Sequence, residues 1–438
     1  MSNFDVYIGL DFGTSFSKVC YNVKGDLYVY KKKDSPFIPT EIYYNTDTIE
    51  VFNNNDIYTQ QLIPVKYFKY SMVFESIINK QILNNLPANL TYKQINILFS
   101  IYFLACVIKD VKQEIINKYY KNTDIKDIVW EINMSSPIND YQGKIYNLYF
   151  DVLNSAYNLA NDCQLTNIHI NKINDIYNKV KNGIIIKNEL LSIHPELFIE
   201  AVYLTNNNLL GLDYGSYMVM DIGGGTVDIG ILWRREWRNS TKYDLVVINI
   251  IKYGVERIID ELENIGIIRK DINSILERGE FNINTLIINE YFINNIEKMI
   301  DIEESDPKIG IEDIFNKRIY YTGGGCNLLW YKNIVNSINS SKITEDKIPI
   351  KSLPLNYNNK QDAHRLIIAM ELARPVDTIE MNLGSTRIIN GEKIISGNES
   401  LEFEIKETTI TRSKPVQKIW TYNDLQDRQK ELYGDEPI

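Results

Sequence analysis

Cysteine and histidine are scarce in this chain. The four cysteines, Cys20, Cys106, Cys163 and Cys326, lie far apart and form no CxxC pair, which argues against a disulfide framework or a structural zinc site and fits a reducing, cytoplasmic setting. Three histidines in 438 residues leave too few ligands for a His-based zinc or haem centre. An excess of positive charge is also missing: 47 Lys and Arg stand against 57 Asp and Glu, a formal net charge of −10. That balance argues against a protein built chiefly to coat nucleic acid, local basic patches aside, so nucleic acid is indicated only indirectly, through an adaptor. The N-terminus runs directly into a strand pattern, so no leader is expected. No apolar run approaches the roughly 20 residues needed to span a bilayer, so no membrane association is expected. No low-complexity linker interrupts the chain.

What is present is enough sequence, 44% of it apolar, for two domains with substantial cores. Residues 4–30 read as strands around a turn at Asp11, and 41–52 as further strands. From 71 to 120 the pattern becomes helical. There Ile95, Leu98, Phe99, Tyr102, Phe103 and Cys106 recur at three- and four-residue spacings, which predicts a long amphipathic helix. Ile128–Ile132 reads as a buried strand ending in a Ser-Ser-Pro loop, followed by a helix over 139–161. The stretch 184–204 holds a strand-to-helix transition, with Pro195 suited to a first helical turn. Strands dominate 217–252 and helices 254–304; Ile319–Thr322 is a strand, 327–338 a helix and 340–360 a loop. Asp362–Ala373 is helical and stopped by Pro375, and the last fifty residues are short strands and a charged tail.

Two stretches rhyme. In the first, an apolar strand runs into Asp11, then Gly13, Thr14 and Ser15, then a second strand. In the second, a strand ends at Asp221, and Gly223, Gly224, Gly225, Thr226 and Asp228 lead into another strand. Glycine lets the backbone turn tightly, so successive N–H groups can face phosphate oxygens. The hydroxyls of Thr14, Ser15 and Thr226 add donors. Asp11 and Asp221 cannot favour phosphate directly; their suitable role is to hold hydrated Mg²⁺. Three consecutive glycines between strands weaken a sheet, and close approach of a ligand is the natural reason for them. A third glycine run, Gly323, Gly324 and Gly325, stands between a strand and a helix N-terminus, where a base or ribose can lie on the backbone.

Hydrolysis also needs a carboxylate to position water. Glu196 and Glu200 are four residues apart on one helical face, and either could do this. His194 reads as a loop residue. Lys18, Lys66 and Lys69 are the candidate phosphate-side cations, with Lys69 the preferred one.

Taken in order, Asp11-Phe-Gly-Thr-Ser15, Asp221-Ile-Gly-Gly-Gly-Thr-Val-Asp228 and Thr322-Gly-Gly-Gly-Cys326 resemble the phosphate 1, phosphate 2 and adenosine motifs of the actin, DnaK-type chaperone and sugar-kinase ATPase superfamily. The second motif looks most like the chaperone form. Residues 195–204 and 362–373 look like the two connecting helices, and Gly254 like the glycine after the second hairpin. The resemblance covers 5–375 and implies an α/β, two-lobed actin-like fold. Each lobe would have an RNase H-like core, with ATP or ADP and Mg²⁺ in the cleft between them. Lobe I would span 1–198, with 374–390 returning to it. Lobe II would span 199–373, and 391–438 would form C-terminal strands and a tail. Glu196, Asp11, Asp221 and Lys69 would be the catalytic set, and Asp11 and Asp221 would hold the metal through water.

The resemblance implies a chaperone-like ATPase that works as a nucleotide-driven switch on an unidentified protein partner. Only about fifty residues follow the ATPase unit, so no peptide-binding domain is expected. Pro195 precedes Glu196, the reverse of the chaperone order, and resembles plasmid-segregating actin-like proteins. Self-assembly into filaments is therefore the alternative reading. A sugar-kinase-like enzyme is a third, disfavoured by the wording of the second hairpin. Slow turnover, or nucleotide binding with almost none, fits the same residues.

Overall fold

The computed structural model describes residues 4–53, 62–73, 82, 84–87, 89–121, 123, 127–137, 143–162, 164–207, 215–237, 240–280, 286–304, 318–337, 344–347, 353–374, 387–390 and 393–396. The chain opens with an antiparallel meander of β1 (Phe4–Asp11), β2 (Phe16–Val23) and β3 (Asp26–Val29). The short β4 (Ile38–Pro39) lies on β2, and β5 (Glu41–Asn45), β6 (Glu50–Phe52) and β7 (Leu62–Lys66) belong to a separate small sheet. Then come α1 (Phe68–Val73), α2 (Tyr92–Tyr119), β8 (Ile128–Ser136), α3 (Lys144–Asp162), β9 (Asn167–His169), α4 (Ile170–Lys181) and β10 (Leu191–Pro195). β8 pairs with β1 in parallel, and β10 pairs with β8 in parallel.

α5 (Glu196–Asn206) leads to a second meander of β11 (Gly215–Ile222), β12 (Val227–Trp237) and β13 (Ser240–Ile251). It is followed by α6 (Val255–Asn264), α7 (Arg269–Arg278), α8 (Leu286–Glu304), β14 (Arg318–Thr322), α9 (Leu329–Ser337) and β15 (Thr344–Lys347). A 3-10 turn at Ala363–Leu366 runs into α10 (Ile367–Leu372), and β16 (Arg387–Asn390) and β17 (Lys393–Ser396) end the described chain. β14 pairs in parallel with β11, and β15 in parallel with β14.

One strand order therefore occurs twice. β10-β8-β1-β2-β3 and β15-β14-β11-β12-β13 are each an antiparallel meander extended by two parallel strands. The apolar residues segregate accordingly: one core cluster is built on the first sheet with α2, α3 and α4, and another on the second sheet with α6 to α9. The helix after each set of parallel strands crosses over. Leu197, Ala201 and Leu204 of α5 pack on Tyr217, Val219 and Leu232 of the second sheet. Ala369, Met370 and Ala373 lie with Cys20 and Val29 of the first. Gly9 permits that docking, because a Cβ there would strike the Ala369 carbonyl and the Ala373 amide nitrogen.

Several expectations need correction. α2 has 28 residues and, contrary to the reading of the apolar runs, is long and apolar enough to cross a membrane. Of its most apolar 18-residue window, 83% is buried inside the protein, and every residue from Ile95 to Ile108 is buried. The helix is therefore a core helix rather than one with a wet and a dry face. Pro195 does not start α5; it closes β10, paired with Ser136, where its missing N–H is tolerated at the strand end. The stretch 374–390 was expected to join the first half. Its described strand, Arg387–Asn390, instead pairs in parallel with β13 of the second sheet. The loop expected over 340–360 contains β15. Most of the tail from 391 lies outside the described residues.

Candidate functional site

The turns of the two meanders face one another. Asp11 is the last residue of β1 and pairs across the hairpin with Lys18; Asp221 stands near the end of β11 and pairs with Asp228. Cross-strand partners point to the same face of a sheet, so each turn presents a pair of charged side chains. The first pair is neutralised: Lys18 Nζ lies 2.7 Å from Asp11 Oδ2. The second is acid against acid.

Glycine is required where the turns meet. A Cβ on Gly224 would run into Ser15 Oγ, and one on Gly225 would lie 2.6 Å from the Tyr70 ring and 3.1 Å from Thr14 Oγ1. One on Gly254 would lie 2.6 Å from the Gly224 carbonyl carbon. That contact lets α6 cap the turn. The amides of Val255, Glu256 and Gly254 donate to the carbonyls of Gly223 (3.0 Å), Gly224 (2.9 Å) and Gly225 (3.1 Å). In a trans peptide the C=O and N–H point opposite ways. The N–H groups of Gly224, Gly225 and Thr226 are thus turned away from α6, and Gly223, Gly224 and Thr226 line the cavity between the turns. The third run joins them: Gly323 has φ +81°, a Cβ there would strike Asp221 Oδ1, and the Gly325 amide donates to Ile222 at 2.9 Å.

The cavity is open to solvent and has about 170 Å³ of room for the centres of water-sized spheres. Asp11, Gly13, Thr14, Ser15, Lys69, Glu196, Asp221, Gly223, Gly224, Thr226, Gly323, Gly324 and Gly325 all line it. Gly225 and Gly254 pack behind the turn. Lys69 Nζ lies 2.8 Å from Glu196 Oε1, both side chains nearly buried. Burial alone would lower the Lys69 pKa, but Glu196 beside it raises it above the ordinary value, so the ammonium stays charged. The chain is aimed by Tyr67, which turns between β7 and α1 with φ 59°, an unusual conformation for a bulky residue. The Tyr67 hydroxyl donates to Glu256 Oε2 at 3.0 Å.

Four carboxylates, Asp11, Glu196, Asp221 and Glu256, line the cavity against three cations, Lys18, Lys69 and Arg365. Asp228 and Glu200 are buried as well. Burial, and then Glu196, push Asp221 up to about 7. Burial raises Glu200 well above the usual carboxylate range, helped by Asp221. Burial and Glu196 do the same to Asp228. This end of the site is short of positive charge.

The other candidates separate. Lys66 is 57% exposed and pairs with Glu41 at 3.1 Å, not with the cavity. Glu200 is buried but does not line the cavity, and Glu196 does. His194 closes on Ser192 Oγ at 2.7 Å, and burial lowers its pKa to about 4.

Three residues escaped the sequence reading. Ser135, at the end of β8, accepts from the Phe12 amide at 3.2 Å; its hydroxyl lies 3.3 Å from Asp11 Oδ1 and 3.2 Å from Glu196 Oε1. Thr40 clamps the first turn, its hydroxyl donating to the Gly13 carbonyl at 2.9 Å and its amide to Ser15 at 3.0 Å. Arg365 enters the cavity from the 3-10 turn before α10. The strand-terminal position of Ser135 was the one available signal.

A stretch of 46 residues is 52% identical to the protein named movement protein Hsp70h of Beet yellows virus (isolate Ukraine). The match covers 10% of this chain and 8% of the viral protein, so the likeness to an Hsp70 homologue is local. No family model matches the chain.

Proposed function

We propose that the cleft binds a magnesium-bound adenine nucleotide, ATP or ADP, and that the chain is an Hsp70-like ATPase of the actin and DnaK superfamily. Its two lobes would be the two sheets with their helices, and the crossing helices α5 and α10 would couple them. The observation that carries the reading is the packing of Thr14 and Ser15 against Gly225 and Gly224 over one cavity. Two glycine hairpins from separate sheets so placed make a clamp for a polyphosphate. The local likeness to an Hsp70 homologue supports the same reading.

The residues fit Mg²⁺. Asp11 and Asp221 stand on opposite hairpins beside one cavity, and burial, then Glu196, push Asp221 up to about 7. They would hold the ion through its waters, and bound Mg²⁺ would offset phosphate charge. Glycine N–H groups and the hydroxyls of Thr14, Ser15 and Thr226 would bind phosphate oxygens. Glu196, paired with Lys69 at 2.8 Å, would accept a hydrogen bond from the attacking water and orient it. The cleft state set by nucleotide would be what a partner reads.

Calorimetric titration with Mg-ATP and Mg-ADP, together with phosphate release, tests this on wild type and Asp221→Ala. Nucleotide should bind to the wild type, and the substitution should weaken binding about tenfold or more. Wild type that binds no nucleotide, or a variant that behaves like it, removes the reading.

A further inference from the structure

β8 lies between β1 and β10, and the ends of these three strands carry an acid, a hydroxyl and an acid. Asp11 ends β1, Ser135 is the last residue but one of β8, and Glu196 follows directly on β10. The register brings them together: Leu10 pairs with Met134, and His194 with Ser135. Ser135 is fully buried and stands behind the cavity wall rather than on it. Any effect it has on a ligand passes through its neighbours.

A hydroxyl has one proton to give and two lone pairs to accept with. The Phe12 amide donates to one lone pair at 3.2 Å. The proton has two carboxylates within reach, Asp11 Oδ1 at 3.3 Å and Glu196 Oε1 at 3.2 Å. Both distances exceed the ~2.8 Å of a hydroxyl given to one acceptor, as suits a proton placed between two. The remaining carboxylate oxygens differ. Asp11 Oδ2 is taken by Lys18. Lys69 reaches Glu196 at Oε1, the same oxygen that Ser135 approaches, and among the described residues no donor reaches Oε2. Rotation of the carboxylate would carry Oε1 away from both donors. Glu196 is thus pinned by one oxygen and keeps the other to accept with.

We propose that Ser135 is a positioning residue for hydrolysis: with Lys69 it holds Glu196 by Oε1, so that Oε2 accepts from the attacking water. This rests on the nucleotide reading above. The hold is in place before a ligand arrives, because β8 and the Phe12 amide fix the hydroxyl oxygen.

The full chain is compared as wild type, Ser135→Ala, Ser135→Thr, Glu196→Gln and the double variant Ser135→Ala with Glu196→Gln. Single-turnover phosphate release should slow about tenfold in Ser135→Ala, with Mg-ADP affinity by calorimetry changed by less than about twofold. Ser135→Thr keeps the hydroxyl and should recover most of the rate. Beside Glu196→Gln, the loss of the hydroxyl should slow release by less than about twofold more, because the carboxylate it positions is gone. A merely structural role would lower affinity along with rate, or slow both backgrounds equally. Either result overturns the proposal, as does a folded Ser135→Ala with wild-type turnover. The ligand-free chain gives a readout that involves no nucleotide. Ser135→Ala should lower the urea midpoint more in wild type than beside Glu196→Gln, since a hydroxyl bonds more strongly to a carboxylate than to an amide. Equal losses would mean that Ser135 does not hold Glu196. Wild type that binds nucleotide but releases no phosphate has no water to orient and also overturns the role. Wild type that binds no Mg-ADP refutes the nucleotide reading itself, and the positioning role with it.

Discussion

Lys69 and Glu196 are 127 positions apart in the chain and 2.8 Å apart in the fold. Both side chains are almost fully buried, so each is compensated chiefly by the other, with Ser135 also bonded to Glu196. Removing one member of such a pair strands the remaining charge. Lys69→Met should destabilise the chain by about 3 kcal/mol, and Lys69→Met with Glu196→Leu should recover most of that loss. Urea denaturation of the two variants measures both. A single variant as stable as wild type would mean that the pair contributes nothing at this position.

Glu196→Gln separates water positioning from ligand binding. The amide keeps the size of the side chain and its acceptor oxygen beside Lys69 but loses the charge that draws a water proton. Hydrolysis should fall about a hundredfold, with nucleotide affinity little changed. Single-turnover phosphate release read beside calorimetry decides it. If affinity falls as far as the rate, Glu196 holds the ligand and another group orients the water.

The two hairpins were legible because their chemistry is local. An apolar strand, an acid, glycines and a hydroxyl residue follow one another within eight positions of Asp11 or Asp221. What the sequence could not rank was decided by direction. Lys66 and Lys69 look alike in the chain, but the positive φ of Tyr67 between them leaves Lys66 on a strand facing Glu41 and sends Lys69 into the interior. Glu196 and Glu200 share a helical face, yet only the residue at the N-terminus of α5 reaches the cavity. Ser135 was hidden for another reason. It meets Asp11 through the parallel pairing of β8 with β1, a contact across 124 positions that no local pattern encodes. Arg365 was hidden because its aromatic partner, Phe37, lies in the segment leading into β4, at the other end of the chain.

Gly9 offers a test of how the crossing helix docks. A side chain there meets the backbone of α10 at Ala369 and the nitrogen of Ala373, and backbone cannot rotate aside. Gly9→Val should cost about 3 kcal/mol or more, seen as a lower denaturation midpoint. Proteolysis should then cut first between Ile367 and Arg374. A variant of wild-type stability and cleavage pattern would place α10 elsewhere.

His194 sets a pH dependence whose sign can be worked out. Burial lowers its pKa from 6.5 to about 4 in the fold, while the unfolded chain takes up the proton near the ordinary value. Between these two values the unfolded state binds more protons than the folded one, so stability falls as pH drops through that window and is level above it. The ring keeps partial contact with solvent, and going from pH 7 to pH 5 should cost about 1–2 kcal/mol from this group. Asp221, Asp228 and Glu200 act in the opposite sense, since their raised pKa values favour the folded state at lower pH. Wild type alone therefore reports a mixture. The difference between wild type and His194→Asn isolates the imidazole, and urea midpoints at pH 7 and pH 5 measure it. The variant should lose less stability than wild type between the two pH values. Equal losses would mean that His194 titrates in the fold as it does in the open chain.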